Sequence, residues 1–152
     1  MNLYLDIDGV LIGKTDPASP RIALARHARQ FLTFALANFD VYWLTSHCKG
    51  DVQPVLDYLR PYAPNDLVPL LTQVKPTTFD VLKTEALTGD FYWLDDAPMQ
   101  AEINWLKERG LLEWWIQVDT RRRPDDLLVA MERLKQALSS SAGFRLTCDE
   151  AS

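Results

Sequence analysis

With 152 residues, a hydrophobic fraction of 47% and five tryptophans, the chain has material for one domain with one sizeable core, and its composition argues against disorder. The formal net charge of -5 speaks against sequence-independent binding to nucleic acid, which rests on a broad basic face. In chain order, Leu3-Tyr4-Leu5-Asp6-Ile7-Asp8-Gly9-Val10-Leu11 comes first. An apolar run closed by Asp-x-Asp-Gly reads as a buried parallel strand stopping at a turn, with Gly9 supplying the backbone freedom. Residues 12–20 are rich in breakers and form a loop. Over residues 21–38, Leu24, Ala28, Phe31, Ala35 and, just beyond, Phe39 recur at helical spacing.

Residues 41–45 make a second strand. Gly50-Asp51 opens a helix carrying Val52, Val55, Leu56 and Leu59, which stops before Pro61. Residues 67–71 read as a short third strand, whose Pro69 suits an edge. Residues 77–87 are broadly helical, and residues 91–94 are a fourth strand. Met99, Ile103 and Leu106 mark a helix ending near Gly110. Residues 114–118 are a fifth strand. Pro124-Asp125-Asp126 opens the last helix, with Leu127, Met131, Leu134 and Leu138 facing inward. The domain is expected over residues 1–138, and the polar, small residues 139–152 are expected to be a disordered tail.

Strands alternating with helices predict an α/β fold of three layers, a Rossmann-like parallel sheet covered on both faces. Ligands of such sheets bind beyond the carboxyl ends of the strands, at the point where strand order reverses. Asp6 and Asp8, two apart, point the same way if the strand continues, although a turn at Asp8 would rotate it off alternation. Carboxylates packed that closely repel, and a divalent cation is the usual remedy. A lone Asp8-Gly9 would be read as a loop opening. The second apolar strand closed by aspartates, Phe91-Tyr92-Trp93-Leu94-Asp95-Asp96, shifts the reading to a site.

Taken together, Asp6-x-Asp8-Gly9-Val10, then Val41-Tyr42-Trp43-Leu44-Thr45-Ser46, then a lysine, then Trp93-Leu94-Asp95-Asp96 resembles the four ordered motifs of the haloacid dehalogenase superfamily, chiefly phosphohydrolases. The resemblance runs over most of residues 1–119. It implies five strands in the order 3-2-1-4-5, and a Mg2+-dependent phosphomonoester hydrolase working through an aspartyl-phosphate on Asp6. Asp8 would be the general acid and base. Asp6, the Asp8 main-chain carbonyl, Asp95 and Asp96, the last directly or through water, would hold Mg2+. Thr45 would hold a phosphoryl oxygen, with Ser46 beside it, and a lysine would balance charge. Lys83 is chosen for that role because only a brief turn separates it from strand four, as in compact members. Lys75, at the expected start of a helix, is the alternative.

His47 is read first as a loop or capping residue, with a place at the edge of the substrate as the sharper alternative. His27, expected within a helix, carries less. Arg121-Arg122-Arg123 reads as a solvated turn. Neither inter-motif gap has room for a cap domain, so the resemblance points to a capless member with an open cleft. Its substrate would be a phosphorylated small molecule or a phosphate on nucleic acid or protein; some similar domains accompany RNA-repair systems. Two other readings are a receiver-like phospho-accepting domain and a binding module that kept the fold without the chemistry. Two distant cysteines without metal spacing, no signal-peptide pattern and no apolar stretch of bilayer length lead us to expect a cytoplasmic protein with no membrane partner.

Overall fold

The structure, a computed structural model, describes the backbone of residues 1–150 and the side chains of residues 1–141. Its elements in chain order are β1 (Asn2–Leu5), the short strands β2 (Ile12–Gly13) and β3 (Ala23–Leu24), α1 (Ala28–Asn38), β4 (Asp40–Trp43) and α2 (Gln53–Leu59). Then come a 3-10 turn at Asn65–Leu67, α3 (Val68–Leu71), a second 3-10 turn at Lys83–Ala86, β5 (Phe91–Asp95) and α4 (Gln100–Glu108). A third 3-10 turn at Leu112–Trp114, β6 (Trp115–Gln117) and α5 (Asp126–Glu150) complete it.

Four strands form one parallel sheet in the order β4-β1-β5-β6. β1 is central because it is apolar on both faces. Leu3 and Leu5 enter a core shared with α1, α2, α3 and α5, whereas Tyr4 enters one shared with Phe91, Trp93 and Leu106. The same alternation runs along β4, where Val41 and Trp43 join the first core and Leu44 the second. Two buried faces give three layers, the arrangement that near-continuous apolar parallel strands require. α5 presents Leu127, Met131 and Leu134 to the first core, with Leu138 packed at its edge. Each such side chain contributes about 1.5–3 kcal/mol when fully buried.

Four stretches differ from the sequence expectations. Residues 67–71 are not an edge strand: Leu67 ends a 3-10 turn and 68–71 form α3. Leu67 and Leu71, four apart, are both buried, and Pro69 sits in the first turn of the helix, where its missing N–H costs nothing. The fifth place in the sheet is instead touched by a single bridge between Tyr42 and Lys75. There the Lys75 N–H donates to the Val41 carbonyl at 2.9 Å, and the Lys75 carbonyl accepts from Trp43 N–H at 2.8 Å.

Residues 77–87 are not broadly helical, and only Lys83–Ala86 makes a turn. Thr77 is tied instead by its hydroxyl to the Trp43 carbonyl at 2.5 Å. The Glu85 carboxylate accepts the N–H groups of Asp80, Val81 and Leu82, drawing the chain into a compact loop. The first helix begins at Ala28 rather than near residue 21, since Ala23 and Leu24 pair antiparallel with Gly13 and Ile12. His27 consequently precedes the helix, at a positive φ of 66°, and bonds to Asp125 at 2.8 Å. Finally, α5 is traced to Glu150, across most of the stretch expected as a tail; residues 151–152 lie outside the described residues. Among the described residues no helix is long and apolar enough to cross a membrane.

Candidate metal and phosphate site

The parallel pairing delivers three strand ends to one edge. Leu5 stands level with Trp43 and Leu94, and one step further the Asp6 N–H donates to the Leu94 carbonyl at 3.0 Å while Leu44 N–H donates to Leu5. Asp6 therefore emerges between the end of β4, which leads to Thr45, and the end of β5, which carries Asp95 and Asp96. Carboxylate oxygens of Asp6, Asp95 and Asp96 come within 4.8 Å of one another. Asp6 and Asp95 are buried. Three carboxylates form an all-oxygen set that suits a hard divalent cation such as Mg2+, with waters or substrate completing its shell.

Gly9 belongs to this site. Its φ of 76° suits glycine, and a Cβ there would lie 2.7 Å from the Asp96 carboxyl carbon. The Gly9 carbonyl accepts from Thr120 N–H at 2.8 Å, and the Thr120 hydroxyl donates to Val10 at 3.1 Å. These bonds lock the turn after β1 against the segment that follows β6.

Lys83 reaches into the cluster, with Nζ 2.6 Å from Asp95 and 3.2 Å from Asp6. Two other acids place it there. Glu85 braces the loop before it, and buried Glu102 accepts both the Lys83 and the Met99 backbone N–H. Lys75 lies elsewhere: its ammonium is 3.3 Å from Asp40 and above the Tyr42 ring, half exposed. The β4 pairing of its backbone carries it to the sheet edge, away from the acids.

Burial and the neighbouring Asp95 charge raise the Asp6 pKa to about 7, even though Lys83 and the Ile7 N–H pull it down. Asp96 is raised for the same reasons, burial first and then Asp95, with Arg121 opposing. For Lys83 burial works against the ammonium, but the Asp6 and Asp95 charges outweigh it and hold the pKa above the ordinary value. Negative charge is thus in excess even with one lysine inside.

Asp8 does not join its neighbour's cluster. Strand geometry ends before it, and its side chain turns the other way. Oδ2 is 3.0 Å from His47 Nε2, and Oδ1 accepts from the Tyr58 hydroxyl. Burial pushes the Asp8 pKa up, but the hydrogen bonds from Tyr58 and His47 prevail and hold it below the ordinary value. The bond to Asp8 in turn pushes Tyr58 up to about 12. Any metal contact of Asp8 would therefore come from its main chain. Thr45 is buried, with its hydroxyl oxygen accepting His47 N–H at 3.3 Å, while Ser46 is exposed on the rim.

Sequence reasoning did not select Tyr58 or Glu102, and left His47 mainly as a loop residue. Glu102 stands at the third position of α4, a capping position that can be read from sequence. Tyr58 carried no comparable signal. A groove of about 640 Å3 lies between α1 and α5, but it shares no residue with the acidic cluster; chemistry, not volume, selects the site. No protein-family model, curated protein or solved structure matches the chain.

Proposed function

We propose that the protein is a Mg2+-dependent phosphomonoester hydrolase of the haloacid dehalogenase type, with Asp6 as the nucleophile. The observation that carries this reading is the placement of one lysine ammonium between Asp6 and Asp95 with Asp96 alongside. Such a cluster retains excess negative charge, has oxygen donors only, and lies at the carboxyl end of a parallel sheet. In this reading the order 3-2-1-4-5 is kept, with the Tyr42–Lys75 bridge marking the place of the missing edge strand. The protein is also taken to act in the cytoplasm.

The residues divide the work as follows. Bound Mg2+ would supply positive charge that keeps Asp6 ionised and draws a phosphoryl group toward it. Asp6, Asp95, Asp96 and the Asp8 carbonyl would hold the ion. The Asp6 oxygen that does not hold the ion would attack phosphorus, and the covalent aspartyl-phosphate divides one hard displacement into two easier ones. Lys83 offsets charge on the transferring group, and Thr45 orients one of its oxygens. Asp8, ionised in the free protein, would take up a proton from solvent as the doubly negative substrate binds, pass it to the leaving oxygen and then take one from the attacking water, a general acid and base exchange.

No cap domain interrupts the chain between these residues, so binding energy must come from contacts around an open cleft. The test is a panel of phosphorylated small molecules, phosphopeptides and 3'- or 5'-phosphorylated oligonucleotides assayed with Mg2+. A macromolecular phosphate is expected to exceed a minimal aryl phosphate in kcat/KM by at least about tenfold, roughly 1.4 kcal/mol. A small metabolite that wins by the same margin would refute the open-cleft inference about substrate size. Absence of Mg2+-dependent turnover across the panel would refute the phosphatase reading.

A further inference from the structure

We propose that His47 and Tyr58 are positioning residues, a two-donor clamp that sets the orientation of the Asp8 carboxylate apart from the metal-binding acids. This inference rests on the phosphatase reading for its catalytic consequence, but its geometry stands alone. The two residues come from different elements, 39 and 50 positions along the chain from Asp8. They converge on opposite oxygens of one carboxylate, and their rings stack at 3.8 Å between centroids with an 18° tilt. A carboxylate only accepts, so His47 donates through Nε2 and Tyr58 through its hydroxyl.

The clamp is itself anchored. The His47 N–H is held by the Thr45 hydroxyl, and the Cys48 N–H bonds to the Thr45 carbonyl at 3.1 Å. Tyr58 lies on α2 between Val55 and Leu59, which are fully buried, and its ring abuts Tyr62 at 6.3 Å. The clamp thus connects the orientation of Asp8 to the residue expected to hold the phosphoryl oxygen.

An unrestrained aspartate on a turn, with 35% of its side chain exposed, would sample several rotamers. Two donors in fixed directions select one. They also keep the carboxylate from swinging toward the Asp6, Asp95 and Asp96 cluster, which would take it away from a leaving oxygen. Loss of a donor therefore impairs reactions that depend on that proton more than reactions that do not.

Tyr58→Phe keeps the ring stack and removes one donor; His47→Ala removes the other, and His47→Gln restores a donor. In the whole chain, Tyr58→Phe and His47→Ala are each expected to lower kcat/KM at least about tenfold on an alkyl phosphate, whose alkoxide needs a proton. On p-nitrophenyl phosphate, whose leaving group departs unprotonated, the same variants are expected to change kcat/KM by less than about twofold, because hydrolysis of the aspartyl-phosphate, which uses Asp8 as a base with either substrate, lies outside that ratio. His47→Gln should recover most of the loss. An equal fall in kcat/KM on both substrates would overturn the positioning role and leave a structural one. A second readout needs no turnover: in crystal structures, Asp8 should hold one rotamer in the parent and lose it in the Tyr58→Phe/His47→Ala double variant. An unchanged Asp8 there overturns the clamp, whether or not a substrate has been found. Failure of the parent to hydrolyse any phosphomonoester would count against the phosphatase reading, while the rotamer comparison still decides the clamp.

Discussion

Two aspartates separated by one residue occupy opposite electrostatic worlds. Asp6 has a lysine 3.2 Å away, yet its pKa rises to about 7; Asp8 has a neutral tyrosine and a histidine, yet its pKa falls. The difference lies in burial and company. Asp6 is almost fully enclosed beside a second carboxylate, and one shared ammonium does not compensate two buried acids. Asp8 is partly open to water, and although desolvation is the largest single influence on it, the directed hydrogen bonds from Tyr58 and His47 together prevail. A cluster that cannot satisfy its own charge calls for a cation, whereas a carboxylate held by two donors is prepared for orientation and proton exchange.

The largest expected effect on that contrast comes from Asp6→Asn, which would remove both the proposed nucleophile and one charge of the proposed metal site. It should reduce Mg2+-dependent aryl phosphatase activity by at least about a thousandfold, with the circular dichroism spectrum unchanged. Lys83→Ala should cost about 2–4 kcal/mol of transition-state stabilisation, as removal of one preorganised charge commonly does. Lys75→Ala, at the exposed pair with Asp40, should leave kcat/KM within about twofold and stability within about 1 kcal/mol. Steady-state kinetics and denaturant melts of the two lysine variants side by side check both statements; an inverted pattern would place the charge-balancing role at the sheet edge.

Gly9→Ala probes the turn that separates the two aspartates. The positive φ alone should cost about 1–3 kcal/mol of stability, read from chemical denaturation, and the added methyl group would displace Asp96 and weaken Mg2+ binding. The pH dependence of Mg2+ affinity is a gentler test. Mg2+ needs Asp6 ionised, so the apparent association constant should fall about tenfold per pH unit below 7 and level off above it. Calorimetric titrations across that range would show it. In the metal-free protein the sign for stability follows from the raised pKa. The contribution of protonated Asp6 is full below its ordinary value of 3.8 and is lost as pH rises through about 7. Mg2+ should restore what is lost.

Much of this architecture was legible in the chain. β1, β4 and β5 carry apolar side chains on both faces, and the runs of β1 and β5 end abruptly in aspartates, so their positions and the gathering of Asp6, Asp95 and Asp96 follow from pattern. The stretch from Leu67 to Leu71 was not, because a five-residue apolar run fits a strand or a buried helical turn equally well. Its answer lay in Leu67 and Leu71 sharing one buried side. Residues 77–87 misled for another reason: Glu85 bonds three backbone N–H groups locally, and such side-chain competition leaves no periodic trace. The Asp8 partnership was hidden most deeply. A tyrosine on a helix and a histidine in a loop converge only once β1, β4 and α2 are packed, and nothing in their spacing announces it.

Asp6 is the proposed acceptor of the phosphoryl group, and its identity can be tested directly. Beryllofluoride mimics a phosphoryl group on a carboxylate, and its position can be fixed by fluorine NMR together with a crystal structure of the complex. With Mg2+ present it should bind on Asp6, with Lys83 and Thr45 at its fluorines, and binding should vanish without Mg2+ or in Asp6→Asn. Beryllofluoride seated on Asp8, Asp95 or Asp96, or bound equally well to the Asp6→Asn protein, would contradict the assignment.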